Sequence, residues 1–152
     1  MRRKILDRKE SGKVRDDLMV QEQVRSVWQH MVGVICLNQT GRKKVKKILP
    51  GFFKKFPDEF ELLKSDKDTI AEMLKDLGMK NVRANRIWRM TEDYLEWDGR
   101  DATELFGIGK YGSDSYRIFY KNQVPENVQD KELKRYLSDL ECGKIKAVRR
   151  IL

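Results

Sequence analysis

Cysteine, histidine and proline are scarce here: two, one and three among 152 residues. Cys36 and Cys142 form neither a disulfide framework nor a metal-ligand cluster, which disfavours a disulfide-stapled secreted scaffold and fits a reducing compartment. No metal and no cofactor are expected. Long apolar runs are missing too, none approaching the roughly 18 residues of a membrane span, so no membrane partner is expected. The N-terminus, MRRKILDRKESGKVRDD, is charged and has no apolar h-region, so it does not read as a secretory signal. Residues 1–19 read as a basic, solvated tail and 20–152 as one domain. Strand signals are weak, and neither repeats nor low-complexity blocks are visible.

What the chain has is charge. Lys and Arg number 33 against 24 Asp and Glu, a net charge of +9, and the sequence pI is about 9.6. Such a balance points to a polyanion, most often nucleic acid. The plainer reading is a protein that is merely basic. Hydrophobic residues at 39% are enough for a core.

Helical periodicity recurs along the chain. From Gln21 to Leu37, apolar residues fall at Val24, Val27, Trp28, Met31, Val32, Ile35 and Cys36, a helix buried at its end. His30 on it reads as structural. A second helix begins at about Arg42, with Pro50 and Gly51 expected to bend or interrupt it. A short helix follows Pro57. Another opens at Ser65 or Asp66 and stops at Gly78. Asn81 is the expected cap of the next. "DATELF", Tyr111 to Tyr120 and the segment capped by Asp130 complete an all-α protein of about eight to ten short helices.

One stretch stands apart. "ELFGIGKYGSDSYRIF" places Gly107, Gly109 and Gly112 within six residues. Gly107-Ile108-Gly109 makes a tight turn whose amides no side chain covers, with Ile108 plugging the seam between two helices. Bare amides at a helix N-terminus favour an anion, and Lys110 adds a cation. A DNA phosphate suits the net charge. A glycine-rich corner without a ligand is the alternative.

The glycines, Tyr111 after Lys110, and Asp130 nineteen residues beyond Tyr111 together resemble the signature of the helix-hairpin-helix base-excision DNA glycosylases. "GIGKYGSDSYRIF", "ICLNQTG" and "KDLGMKNVRANRI" are similar to the catalytic domains of methyl-CpG-binding-domain thymine DNA glycosylases. The similarity covers roughly residues 20–142.

The resemblance implies the helix-hairpin-helix glycosylase fold and excision of thymine or uracil mispaired with guanine, by flipping the nucleotide out of the duplex. Double-stranded DNA with G·T or G·U mismatches is the implied partner, with a monomer in the nucleus. Asp130 then stabilises an oxocarbenium-like transition state and helps the attacking water. It is equally a plain helix N-cap, and the two roles are compatible. Tyr111 stands where bifunctional relatives carry an imine-forming Lys, so the implied enzyme is monofunctional and leaves an abasic site. Tyr111 lines the base pocket or packs in the hairpin. Met79 either wedges into the duplex or is buried after a helix end. Gly107, Ile108, Gly109, Lys110 and Gly112 form the backbone grip, and Lys80 and Arg83 reach phosphates. Gln39 and Thr40 belong to the DNA-contacting loop. Gln39 departs from the Arg usual in the near relatives, which puts mismatch recognition in question. Gln21 is a base or backbone contact. Five basic residues within Arg42 to Lys47 either widen the phosphate footprint or form a solvated face. No cysteine cluster follows Cys142, so the iron–sulfur loop of some relatives is not expected. The rival readings are a non-catalytic helix-hairpin-helix DNA-binding module and a protein-interaction domain that is basic by accident.

Overall fold

The computed structural model describes residues 5–6, 24–143 and 149–150. Gln21, and nearly all of the tail 1–19, lie outside the described residues. Among the described residues the chain folds as seven α-helices and two 3₁₀ turns, with one antiparallel pairing of Ile5–Leu6 (β1) to Arg149–Arg150 (β2). The architecture is all-α, as expected. Among the described residues, no helix is long and apolar enough to cross a membrane.

The first helix, α1 (Val27–Leu37), is the centre of the molecule. Ser26 caps it by accepting from the Gln29 amide, and every residue from Val27 to Cys36 is buried. It starts later than the apolar pattern implied, because Ser26 supplies the cap. Three helices pack on it: α2 (Arg42–Lys55), α5 (Lys80–Glu96) and α6 (Lys110–Lys121). Two buried hydrogen bonds cross this centre. Trp28 Nε1 donates to Thr91 Oγ1 at 2.9 Å on α5, and His30 Nε2 pairs with Ser115 Oγ at 2.7 Å on α6. His30 is structural, as its apolar helix implied.

Pro50 does not interrupt α2, which runs unbroken through it. The proline is solvent-exposed, so water can satisfy the carbonyl that loses its donor. The buried stripe of α2 is Val45, Leu49 and Phe52. Two short helices follow, α3 (Glu59–Leu63) and α4 (Lys67–Met73), capped by Asp58 and Asp66. A 3₁₀ turn at Lys75–Leu77 leads to Gly78, whose φ is +80°. Asn81 is not the cap of α5. Met79 holds that place in the left-handed conformation, with no side-chain cap bond. The later α-helices are α6 and α7 (Lys131–Glu141), the last capped by Asp130.

Candidate active site and nucleic-acid interface

The glycine segment is a hairpin between the 3₁₀ turn Ala102–Glu104 and α6. Leu105 and Ile108 are buried, and the Ile108 amide closes the turn on the Leu105 carbonyl at 3.1 Å. The Phe106 amide donates to Asp93 Oδ2 at 2.8 Å. Arg89 lies 4.0 Å above the Phe106 ring. Both contacts fasten the hairpin to α5.

The three glycines have three different reasons. Gly107 has φ +81°, a conformation that penalises a side chain. A Cβ at Gly112 would stand 2.6 Å from Ile108 Cγ2 and 3.0 Å from Val34 Cγ1. What presses on this backbone is the protein's own core, so the absence of a side chain at Gly112 and the Ile108 side chain both serve packing. Gly109 differs. It caps α6 without a side-chain bond, it is exposed, and a Cβ there would meet nothing within 4 Å. Nothing internal requires a glycine at that position, and the first amides of α6 take no cap from its side.

Lys110 is not a free cation beside those amides. Its Nζ bonds the buried Asp114 at 2.9 Å and the Glu126 carbonyl at 3.3 Å. The i, i+4 spacing of Lys110 and Asp114 was a readable signal for this pair.

A cleft of about 880 Å³ opens between the start of α6, the 38–41 loop and the start of α7. Tyr111, Gln39, Thr40 and Asp130 line it, so the structure brings four residues singled out in the sequence to one cleft, together with Glu132, which was not among them. Asp130 caps α7 through Oδ2, which accepts from the Leu133 amide at 3.0 Å. The cap holds the carboxylate rigidly and uses one oxygen. Tyr111 is half-buried. Burial, then the nearby Asp130 carboxylate, pushes its phenol well above the ordinary value, with Arg42 opposing. Arg42 bonds Glu132 at 2.7 Å across the cleft, a pairing that 90 residues of separation hid from the sequence. Among the described residues, no three His, Cys, Asp or Glu side chains converge as metal ligands.

The 38–41 loop and the 77–79 turn, joined by the Thr40–Leu77 hydrogen bond, each carry a left-handed residue at the surface. Gln39 (φ +59°) and Met79 (φ +52°) are both left-handed and exposed, Met79 at 48%. That exposure removes the reading of Met79 as a buried residue. Lys80 is exposed and stands 3.9 Å from Glu72. Thr40 turns inward, donating to the Leu77 carbonyl at 3.3 Å. Arg83 is no phosphate contact. It is 2% exposed, and its guanidinium is spent on Gly78, Ile35 and Cys36 carbonyls and on Thr40 Oγ1.

Residues 32–149 match the HhH-GPD superfamily of base excision DNA repair proteins. The chain is 26% identical over 103 residues to a methyl-CpG-binding domain protein 4-like protein of Arabidopsis thaliana, covering 68% of this chain and 23% of that protein. It is 30% identical over 98 residues to a thymine/uracil-DNA glycosylase of Methanothermobacter thermautotrophicus, covering 55% and 44%. A thymine/uracil-DNA glycosylase of Pyrobaculum aerophilum is 26% identical over 117 residues, covering 72% and 50%. A solved structure titled as a thermostable thymine-DNA glycosylase shares the fold, with a TM-score of 0.64 at 23% identity, covering 72% of this chain and 52% of that one. The chain thus spans from about a quarter to a half of these relatives.

Proposed function

The chain belongs to the HhH-GPD superfamily of base excision DNA repair proteins, and from that premise we propose that it is a monofunctional DNA glycosylase excising thymine or uracil opposite guanine. The observation that carries this reading is Tyr111 and Asp130 lining one cleft beside the start of α6, whose first amides no side chain caps. Those amides take a backbone phosphate. Gln39 and Met79 enter the space left by the flipped nucleotide. The cleft has room for one base.

Asp130 acts at the sugar. Its carboxylate faces the cation that grows at C1′ as the N-glycosyl bond lengthens, and it orients the water that completes hydrolysis. Tyr111 lies against the base. A neutral phenol stacks and hydrogen-bonds but forms no imine. Lys110, one position away, is held by Asp114 and the Glu126 carbonyl, which further supports an enzyme that leaves an abasic site without cutting the strand. A monomer acting on nuclear DNA belongs to the same proposal.

Single-turnover excision on G·T, G·U, A·U and A·T duplexes, with and without alkali, tests it. Breaks from G·T or G·U only after alkali are expected; breaks without alkali would sink the monofunctional assignment. Asp130→Asn keeps a capping side chain and is expected to lower the rate about 10²-fold or more. Unchanged excision would remove Asp130 from catalysis. A non-catalytic DNA-binding module is the second reading, favoured by uncharged Gln39, and binding without excision from any duplex would establish it.

A further inference from the structure

The left-handed tips Gln39 and Met79 sit on different loops, 40 residues apart in sequence. One side chain joins those loops. Arg83, in the first turns of α5, sends Nε to the Gly78 carbonyl at 2.8 Å. Its Nη1 reaches the Ile35 and Cys36 carbonyls at 3.2 and 2.9 Å. Its Nη2 donates to Thr40 Oγ1, with the Leu77 carbonyl at the outer limit of 3.5 Å. Thr40 in turn donates to Leu77. The fork therefore touches the end of α1, the 38–41 loop and the 77–79 turn at once.

The chemistry suits only Arg. The last turn of α1 has no basic residue; the Asn38 and Thr40 amides answer the Ile35 and Leu37 carbonyls, which leaves the Cys36 carbonyl to a donor from elsewhere. Arg83 supplies it from another helix and gives the Ile35 carbonyl a second donor, with the charge placed favourably at a helix C-terminus. Every one of these acceptors is uncharged. A buried guanidinium answered only by carbonyls and a hydroxyl is a poor way to gain stability, since desolvation offsets much of the bonding. It is a good way to fix geometry, because a planar fork holds several acceptors at set angles and an ammonium does not.

We propose that Arg83 is a positioning residue that locks the Gln39 loop and the Met79 turn into one rigid unit, so that both side chains enter the duplex together at the mispair. This rests on reading the chain as a DNA glycosylase. Arg83 touches no DNA in this role. Thr40 is the bridge through which it acts on the first loop.

Amide hydrogen exchange and DNA binding on Arg83→Lys and Thr40→Val test the coupling. Thr40→Val leaves the buried charge and its carbonyl acceptors in place, so it separates coupling from folding. Both variants are expected to speed exchange at 38–41 and 77–80 together, by about tenfold, as loss of one or two charge-assisted bonds dictates. Exchange along Tyr116–Tyr120 of α6 should not change. Preference for a G·T duplex over a matched duplex is expected to fall by about fivefold or more, further than matched binding itself. Loosening of one loop alone would overturn the inference. So would a uniform loss of stability with the mismatch preference intact. Loops that loosen together in a protein whose wild type excises nothing would overturn the glycosylase reading and leave the coupling standing.

Discussion

The hairpin at 105–112 and the paired tips at 39 and 79 are both tight turns near one cleft, yet they are built from opposite materials. The hairpin uses glycine wherever the backbone is bent or crowded. The tips put Gln and Met into left-handed conformations that glycine would adopt freely. The difference follows from what each must present. A phosphate is gripped by backbone amides, and a side chain would only obstruct them. In the proposed function a base, or the hole it leaves, is met by a side chain, which gives a reason for the strain; Arg83 bonds both of the turns that bear it. On the same reading, backbone recognition is sequence-blind and the discrimination falls to the tips.

The comparison breaks most visibly at Gly112. Alanine there gains about 0.5–1 kcal/mol of helix propensity. Its Cβ would lie 2.6 Å from Ile108 Cγ2, and a β-branched side chain next to the backbone cannot swing aside. Overpacking of this kind costs about 1–3 kcal/mol, so the clash outweighs the propensity. Gly112→Ala is expected to lower stability by about 1–2 kcal/mol in urea unfolding. It should weaken binding to matched and mismatched duplexes alike, since it moves the hairpin and not the tips. A variant as stable as wild type would mean that Ile108 is not the plug.

Local chemistry is what the sequence made legible. Asp66 and Asp130 cap their helices through bonds spanning three residues, and such bonds are written in the sequence within one turn. The hairpin was legible for the same reason. Asn81 misled because α5 opens without a polar cap at all: Met79 takes the cap position in the left-handed conformation, with no side-chain bond to the first amides. Arg83 itself read as a phosphate contact because its partners Ile35, Cys36 and Thr40 lie 43–48 residues away. Pro50 was expected to bend or interrupt α2; the helix runs on through it, with the proline on the exposed face, where water can answer the freed carbonyl. In the cleft, Tyr111 and Asp130 were found through spacing and resemblance; Arg42 facing Glu132 depends on how α2 and α7 meet, which no local pattern encodes.

A matched pair of substitutions sharpens the contrast at smaller cost. Gly109→Ala meets no atom within 4 Å and sits at φ −107°. It should leave stability unchanged or raise it by up to about 1 kcal/mol, through the unfolded chain. DNA binding should nonetheless weaken for every duplex, because a methyl group now stands before the amides. Met79→Gly relieves a left-handed side chain and should also cost no stability, within about 1 kcal/mol. Its binding defect should be confined to mismatched DNA. Thermal unfolding beside a titration of G·T and matched duplexes gives both readings. Equal losses on both duplexes from Met79→Gly would erase the division of labour between backbone and side chain.

The smallest effect lies where the two regions meet. Tyr111 belongs to the hairpin helix and faces the Gln39 loop across the cleft. Burial first, and Asp130 second, raise its pKa in the folded protein. The fold therefore favours the neutral phenol. That contribution is fully present below the unfolded tyrosine value of about 10 and is lost as pH rises toward the higher folded value. The stability difference between wild type and Tyr111→Phe should be flat from about pH 7 to about pH 10 and should then shift against wild type. Tyr94, which burial pushes up to about 12, is common to both proteins and cancels. Denaturant midpoints across this range give the result. A difference that moved in favour of wild type above pH 10 would require a cation at the phenol stronger than burial and Asp130 combined. Arg42 is the one named group that could supply it, and its bond to Glu132 is what should prevent this.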